Sequence, residues 1–418
     1  MGPTKILFLN HTGTVSGAEH VLLMILDRLD QRFEPIVSCP EQSDLADMLR
    51  AMQVQIAGLP ELRARFTWNP IQLIGYVRSY FGCVQRFREI LGAQAPDLIH
   101  ANSVRAGLLA TLAATGTHIP VIWHIHDIMK AHPFSSAIRC VALSSPAISI
   151  LAVSHAAAQR FRGWLLRIAG KHVSITVLHN PVNAQQFSPN VGERERTRHE
   201  LGLSNGQFVF AIIGQLTPRK GQLETIRAFG NIAEFVPQSR LLIVGGPLFN
   251  DDHKYLRLLK SEAEKLGLGE RVLFLGRRKD VNAVLGAADA VVINSKREPF
   301  ALIALEALAA GKPTVAAGID GIPELIEHEV TGLLVPGGDL SALSAAMRRL
   351  SAEPETCRAL SERGRALVET YFTCARYMRE LETLYCVTHE RSCAHRPSSQ
   401  PNGEGESPVR TMVKRNMF

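Results

Sequence analysis

The sequence predicts an α/β protein built from two doubly wound parallel-sheet domains. Three observations carry that expectation. Its 418 residues, 46% hydrophobic and 20% charged, suffice for two or three domains that each bury a core without disulfide or metal staples. Short apolar runs alternate with helical patterns, the rhythm of parallel strands joined by crossover helices. A polar break, His179-Asn180-Pro181-Val182-Asn183 followed by the stretch from Ser188 to Arg198, divides that rhythm in two.

In the first half the expected strands are Ile6–Asn10, Glu34–Ser38, Val54–Ala57, Leu98–His100, Val121–Ile125, Ile150–Val153 and Ile175–Leu178. In the second half they are Phe208–Ile213, Arg240–Val244, Val272–Leu275, Ala290–Ile293 and Pro313–Ala316. The hinge is expected near residue 185, giving domains over residues 1–185 and 186–371. A helix over residues 372–390 follows the second sheet and can cross back to the first domain. From Arg391 to Phe418 the Pro, Ser, Gly and Glu content predicts an unstructured tail.

The net charge is +7, and its excess lies mainly in residues 1–190, where sixteen bases face eleven acids. Five of those bases, Arg63, Arg65, Arg78, Arg86 and Arg88, fall between Glu61 and Glu89 with no acid among them. Nucleic-acid binding is not supported, because no zinc-finger spacing, basic low-complexity arm or RNA-binding aromatic motif accompanies the charge. The seven cysteines are scattered and never spaced Cys-x2-Cys, which predicts reduced thiols in a cytoplasmic compartment. The run Ile6-Leu7-Phe8-Leu9 is too short for the core of an export signal.

Three strand-to-helix junctions carry candidate chemistry. The first is His11-Thr12-Gly13-Thr14-Val15-Ser16-Gly17-Ala18-Glu19, ahead of a stripe of Val21, Leu22, Ile25, Leu26 and Leu29. Free amides and the positive end of a helix dipole there favour an anion, and Gly17 lets backbone approach it; the alternative is a plain tight turn. The second is Gly214-Gln215-Leu216-Thr217-Pro218-Arg219-Lys220-Gly221, where adjacent cations precede the helical residues Leu223, Ile226 and Phe229. Cations at a helix start are disfavoured unless an anion is bound, the alternative being a solvated pair. The third runs from Glu298-Pro299-Phe300-Ala301 through Leu302, Ile303, Ala304 and Leu305 to Glu306, then Ala307-Leu308-Ala309-Ala310-Gly311-Lys312-Pro313. Glu306 falls inside an otherwise apolar helix, where a carboxylate costs several kcal/mol unless strong donors meet it. Vicinal sugar hydroxyls would supply two; a buried cation is the alternative.

These residues resemble a retaining glycosyltransferase of the family 4 type, with the GT-B arrangement of two facing Rossmann-like domains. The resemblance runs from Ile6 to about Leu384 and includes the Glu-x7-Glu motif, Gly321-Ile322-Pro323-Glu324 and Thr331-Gly332-Leu333-Leu334-Val335. It implies that Glu306 binds the ribose hydroxyls of a nucleotide diphosphate sugar. Glu298, with the amides of Ala301, Leu302 and Ile303 beside Phe300, would hold the donor sugar and its phosphates. Lys220, with Arg219, would neutralise the leaving diphosphate, and Gly17 would offer an amide from the opposing domain. His126, in Trp123-His124-Ile125-His126-Asp127, matches the family's active-site histidine in a positioning and transition-state role, although His124 alternates to the same side of the strand.

Two departures bear on the donor. Gln215 stands where the family often has Arg, and Ala301 where it often has Gly. The resemblance implies no cofactor and no metal, and the chain has no Asp-x-Asp triplet. The expected function is retaining transfer of a sugar to an acceptor, such as a lipid-linked saccharide in polysaccharide biosynthesis. The alternatives are a non-catalytic nucleotide-sugar-binding subunit and a sugar-nucleotide epimerase of the same fold. From Asn69 and Pro70 onward, Leu73, Ile74, Val77, Phe81, Val84, Phe87 and Leu91 repeat at helical spacing and are expected mostly in the core. Arg63, Arg65, Phe66 and Trp68 precede them in a loop that could meet anionic headgroups on the inner face of a membrane.

Overall fold

The computed structural model describes residues 2–62, 70–129, 132–162, 173–247 and 250–394. Two all-parallel sheets organise it. The first contains β1 (Thr4–Leu9), β2 (Phe33–Cys39), β3 (Gln55–Gly58), β4 (Leu98–Ala101), β5 (Val121–Ile125), β6 (Ile148–Ala152) and β7 (Ser174–Val177), in the order β3-β2-β1-β4-β5-β6-β7. The second contains β8 (Val209–Ile213), β9 (Arg240–Val244), β10 (Val272–Gly276), β11 (Ala290–Ile293), β12 (Thr314–Ala317) and β13 (Leu333–Val335), in the order β10-β9-β8-β11-β12-β13. β4, β5, β6 and β11 are buried at every position, because helices cover both faces of each sheet. The short final strand β13 lies within the Thr331–Val335 stretch that the sequence marked only as a motif.

In each sheet the order reverses beside the first strand, between β1 and β4 and between β8 and β11. Crevices at the carboxyl ends of strands open at such reversals. Asn10 follows β1, Asn102 follows β4 and His126 follows β5; Gly214 follows β8 and Asn294 follows β11. The three candidate junctions therefore lie at the two switch points.

The domains share apolar packing. Trp123, Phe161 and Phe187 belong to the same buried cluster as Phe300, Leu305 and Val368. Among the described residues the chain crosses between domains twice, and the crossings are stitched where the Val182 amide donates to the Phe372 carbonyl at 2.9 Å. The last helix, Cys374–Ala394, returns to the first domain, burying Tyr377, Met378, Leu381 and Tyr385 with Phe8, Phe33 and Ile122. It runs on through Arg391 to Ala394, past the expected start of an unstructured tail; the rest of that tail lies outside the described residues.

The helix Pro70–Gln94 corrects a second expectation. Cys83, Val84, Phe87, Ile90 and Leu91 are buried, but Ile74, Val77 and Phe81 are 61%, 47% and 62% exposed. At 25 residues the helix is long enough that its first half projects past the sheet that its second half covers. Arg86 and Arg88 are engaged locally. Arg86 pairs with Glu89 at 3.0 Å, and Arg88 donates to the Leu112 and Ala113 carbonyls at the end of the helix Val104–Ala113. Arg63, Arg65, Phe66, Trp68 and the cap Asn69 lie outside the described residues.

Candidate functional site

In the second domain the loops after β8 and β11 are locked together. Gly221 adopts φ +71°, and a Cβ there would come within 1.9 Å of the Asn294 carbonyl oxygen, so only glycine permits this approach. The Lys296 amide donates to the Arg219 carbonyl at 2.7 Å, and the Arg219 guanidinium to the Arg297 carbonyl at 3.1 Å. The cations do not begin the long helix. They occupy a separate turn, Pro218–Lys220, and the helix Gln222–Ile232 starts after Gly221. Gln215 precedes that turn, and its carbonyl accepts from the Gln222 side chain at 2.9 Å.

This locking brings Lys220 to Glu298. The ammonium lies 2.5 Å from the Glu298 Oε2, which also accepts from the Ser295 hydroxyl at 2.9 Å and has Arg219 at 3.9 Å. The Glu298 amide donates to the Asp320 carboxylate at 2.9 Å. Glu298 is 6% exposed, so the pair sits in a poorly hydrated place where charges interact strongly. Ser295 and Asp320 had no role in the sequence reading; both are recruited by loop geometry that no local pattern encodes.

The helix Leu302–Ala309 begins beside this pair, with Ala301 as its N-cap and no side chain capping it. Its first-turn amides at Leu302 and Ile303 point out of the helix start, unpaired within it. Glu306 follows one turn later. It accepts no hydrogen bond from any described residue, and burial alone pushes its carboxyl up to about 7. Phe300 turns away from this helix start, its ring stacked on His179 at 5.6 Å in the hinge.

The first domain faces this surface. A Cβ on Gly17 would lie 3.4 Å from the Leu302 side chain, so the Gly17 backbone approaches the helix start across the cleft. Arg297 donates to the Ile128 carbonyl at 3.1 Å. Glu324 reaches over to accept from the His155 and Ala156 amides at 2.8 and 2.9 Å and from His179 at 2.8 Å.

The two histidines of β5 have different surroundings. His124 is fully buried, with its Nδ1 3.1 Å from His100 Nε2, and His100 Nδ1 is 2.7 Å from the Tyr385 hydroxyl of the last helix. His126 is partly exposed, with its Nε2 3.1 Å from Asn102 Oδ1. Their rings lie 3.9 Å apart. Burial holds the His126 imidazole down to about 3, so it is neutral at ordinary pH, and its partner is Asn102 rather than the neighbouring Asp127.

Comparison with known proteins fits this architecture. Residues 15–186 match Glycosyltransferase Family 4, and residues 193–367 match Glycosyl transferases group 1. The chain is 24% identical over 390 residues to the UDP-Gal:alpha-D-GlcNAc-diphosphoundecaprenol alpha-1,3-galactosyltransferase of Escherichia coli, covering 91% of this chain and 96% of that one. It is 27% identical to the putative glycosyltransferase EpsD of Bacillus subtilis, over 78% of this chain and 86% of that one. Among solved structures, Anabaena HepE in complex with UDP superposes with a TM-score of 0.76 at 26% identity, over 92% of this chain and all of that one. Two facing Rossmann-like sheets and matches over both halves have one reading: the chain belongs to the GT-B glycosyltransferases of the family 4, group 1 type.

Proposed function

We propose that the chain transfers a sugar, with retention at the anomeric carbon, from a uridine diphosphate sugar to a lipid-linked saccharide acceptor. The observation that carries the donor half is Glu306: a carboxylate one turn inside an apolar helix, beside the cleft, with no donor among the described residues. Ribose hydroxyls would repay its burial with hydrogen bonds to a charged acceptor, worth about 1.5–3 kcal/mol. HepE was solved with UDP and with UDP-glucose, which supports a uridine nucleotide. The Escherichia coli relative acts on a diphosphoundecaprenol-linked sugar, which supports a lipid-linked acceptor.

In this reading the diphosphate lies between the Leu302 and Ile303 amides, Lys220 and the Gly17 backbone. As the glycosidic bond breaks, negative charge builds on the β-phosphate. Lys220, Arg219 and the helix start would meet that charge, so they would lower the barrier more than they tighten ground-state binding. Lys220 would exchange part of its pairing with Glu298 for the phosphate, leaving Glu298 to accept from hydroxyls of the donor sugar. His126, neutral and at the opposite wall, would support the sugar. These cations supply the positive charge that a divalent metal supplies elsewhere, so transfer is proposed to be metal-independent. The exposed apolar face of Ile74, Val77 and Phe81, with Arg78 beside it in a basic domain, would rest on the anionic membrane that carries the acceptor.

Incubation with a panel of UDP-sugars, with and without membrane extract, tests the function. Acceptor-dependent release of UDP that persists in EDTA, and that falls about 10²–10³-fold in kcat for Lys220→Ala, is the expected result. Tight UDP binding without turnover would instead indicate a binding subunit, and a converted free nucleotide sugar an epimerase.

A further inference from the structure

Behind His126 lies a buried polar chain that the transfer chemistry does not itself use. Asn10, Asn102 and Glu19 are 1%, 1% and 4% exposed. The Asn102 Nδ2 donates to Asn10 Oδ1 at 2.9 Å and to the Ala18 carbonyl at 3.4 Å. The Asn10 Nδ2 donates to the Thr12 carbonyl at 2.6 Å and to Glu19 Oε1 at 3.2 Å. The other Glu19 oxygen accepts the Ser16 amide at 3.0 Å and the Ser16 hydroxyl at 2.5 Å.

The direction of every bond in this chain is fixed. Backbone carbonyls can only accept, so the Ala18 and Thr12 oxygens settle which end of each asparagine carries the amide nitrogen. The Asn102 oxygen must then face His126, and an amide oxygen can only accept. His126 Nε2 therefore carries the proton, and Nδ1 keeps a lone pair that has no partner among the described residues. We propose that Asn102 is a positioning residue that holds His126 as the neutral Nε2–H tautomer, with Nδ1 an acceptor for a donor-sugar hydroxyl, and that Asn10 and Glu19 tie this orientation to the loop bearing Ser16 and Gly17. The part concerning the sugar rests on the functional reading above; the tautomer does not. A fully satisfied polar network where apolar side chains would pack more cheaply fixes one orientation of the ring. It also makes the ring that faces the sugar and the loop that faces the diphosphate parts of one rigid wall.

The tautomer is read directly from long-range 1H–15N spectra of the full-length protein labelled with 15N-histidine, His126 being assigned by its loss in His126→Gln. One protonated nitrogen at Nε2 and one bare nitrogen at Nδ1 are expected; an Nδ1–H tautomer would overturn the assignment, whatever the activity. In Asn102→Leu the Nε2–H preference should be lost. With UDP-glucose or the active donor, kcat should then fall about tenfold or more while KM and UDP affinity change less than about threefold, as misorientation without loss of binding predicts. An unchanged tautomer, or a loss confined to UDP affinity, would refute the positioning role. If no UDP-sugar is turned over but the wild-type tautomer is as stated, the functional reading fails and the Asn102 assignment stands.

Discussion

Glu306 shows what a single residue can announce from sequence. A carboxylate among Ala, Leu and Ile at helical spacing is anomalous wherever the helix packs, although the sequence left open whether a buried cation meets it. Its counterpart Glu298 was legible as a motif, but not its ion pair with Lys220 or its bonds with Ser295 and Asp320, because those depend on loops from different strands meeting. The shift at Glu306 gives a prediction with a defined sign. Burial raises its carboxyl to about 7, so near pH 6 it is mostly protonated. Ribose hydroxyls donating to the carboxylate favour the charged form and lower that value. UDP-glucose, whose esterified diphosphate does not titrate in this range, should therefore release close to one proton on binding at pH 6, and its affinity should rise towards pH 7.5. Calorimetry in two buffers of different ionisation enthalpy measures the proton. Glu306→Gln should release about none and bind more weakly by about 1–3 kcal/mol; equal proton release in both proteins would remove Glu306 from the nucleotide site.

At the scale of elements, strands buried on both faces read directly as apolar runs, which is why twelve of the thirteen among the described residues were legible. The three-residue β13 was too short to stand out from a motif. The helix Pro70–Gln94 was legible as a helix but not in its packing, since periodicity reports an apolar face and not the length of the surface available to cover it. Its exposed first half carries a prediction. Ile74, Val77 and Phe81 recur at intervals of three and four residues on one face, with Arg78 exposed among them. Such a face inserts shallowly into an anionic interface. Sedimentation with vesicles containing anionic lipid at low salt should carry the protein into the pellet. Phe81→Asp with Ile74→Asp should leave it mostly in the supernatant with its fold intact, because neither side chain contributes to the core. A wild-type protein that stays wholly in the supernatant would sink the membrane assignment.

For the whole molecule the question is what keeps two separately wound domains facing each other. The Gly321-Ile322-Pro323-Glu324 segment was legible as a family signature with no evident task. Its geometry supplies one: Glu324 extends from the second domain to two amides at the start of the helix His155–Gln159 and to His179 near the hinge. Burial would raise its carboxyl, but the hydrogen bonds from His179 and those two amides outweigh it and hold the group below its ordinary value. A carboxyl whose folded-state value is depressed stabilises the fold above its unfolded value of about 4.5 and loses that contribution as pH falls below it. Glu324→Ala should therefore lower stability at pH 7 by about 1.5–3 kcal/mol in urea titrations, the scale of a charged hydrogen bond. The gap to wild type should narrow as pH falls below about 4.5, even though the neutral histidines His100 and His126, held down to about 3, weaken both proteins alike between their ordinary value of 6.5 and that pH. Because the contact spans the cleft, the variant should also show a larger radius of gyration in small-angle scattering at pH 7, and UDP should reduce it if, as proposed, the diphosphate bridges the Gly17 loop and the helix start at Leu302. A variant equally compact and equally stable would place the closure instead in the shared apolar core around Trp123, Phe187 and Leu305.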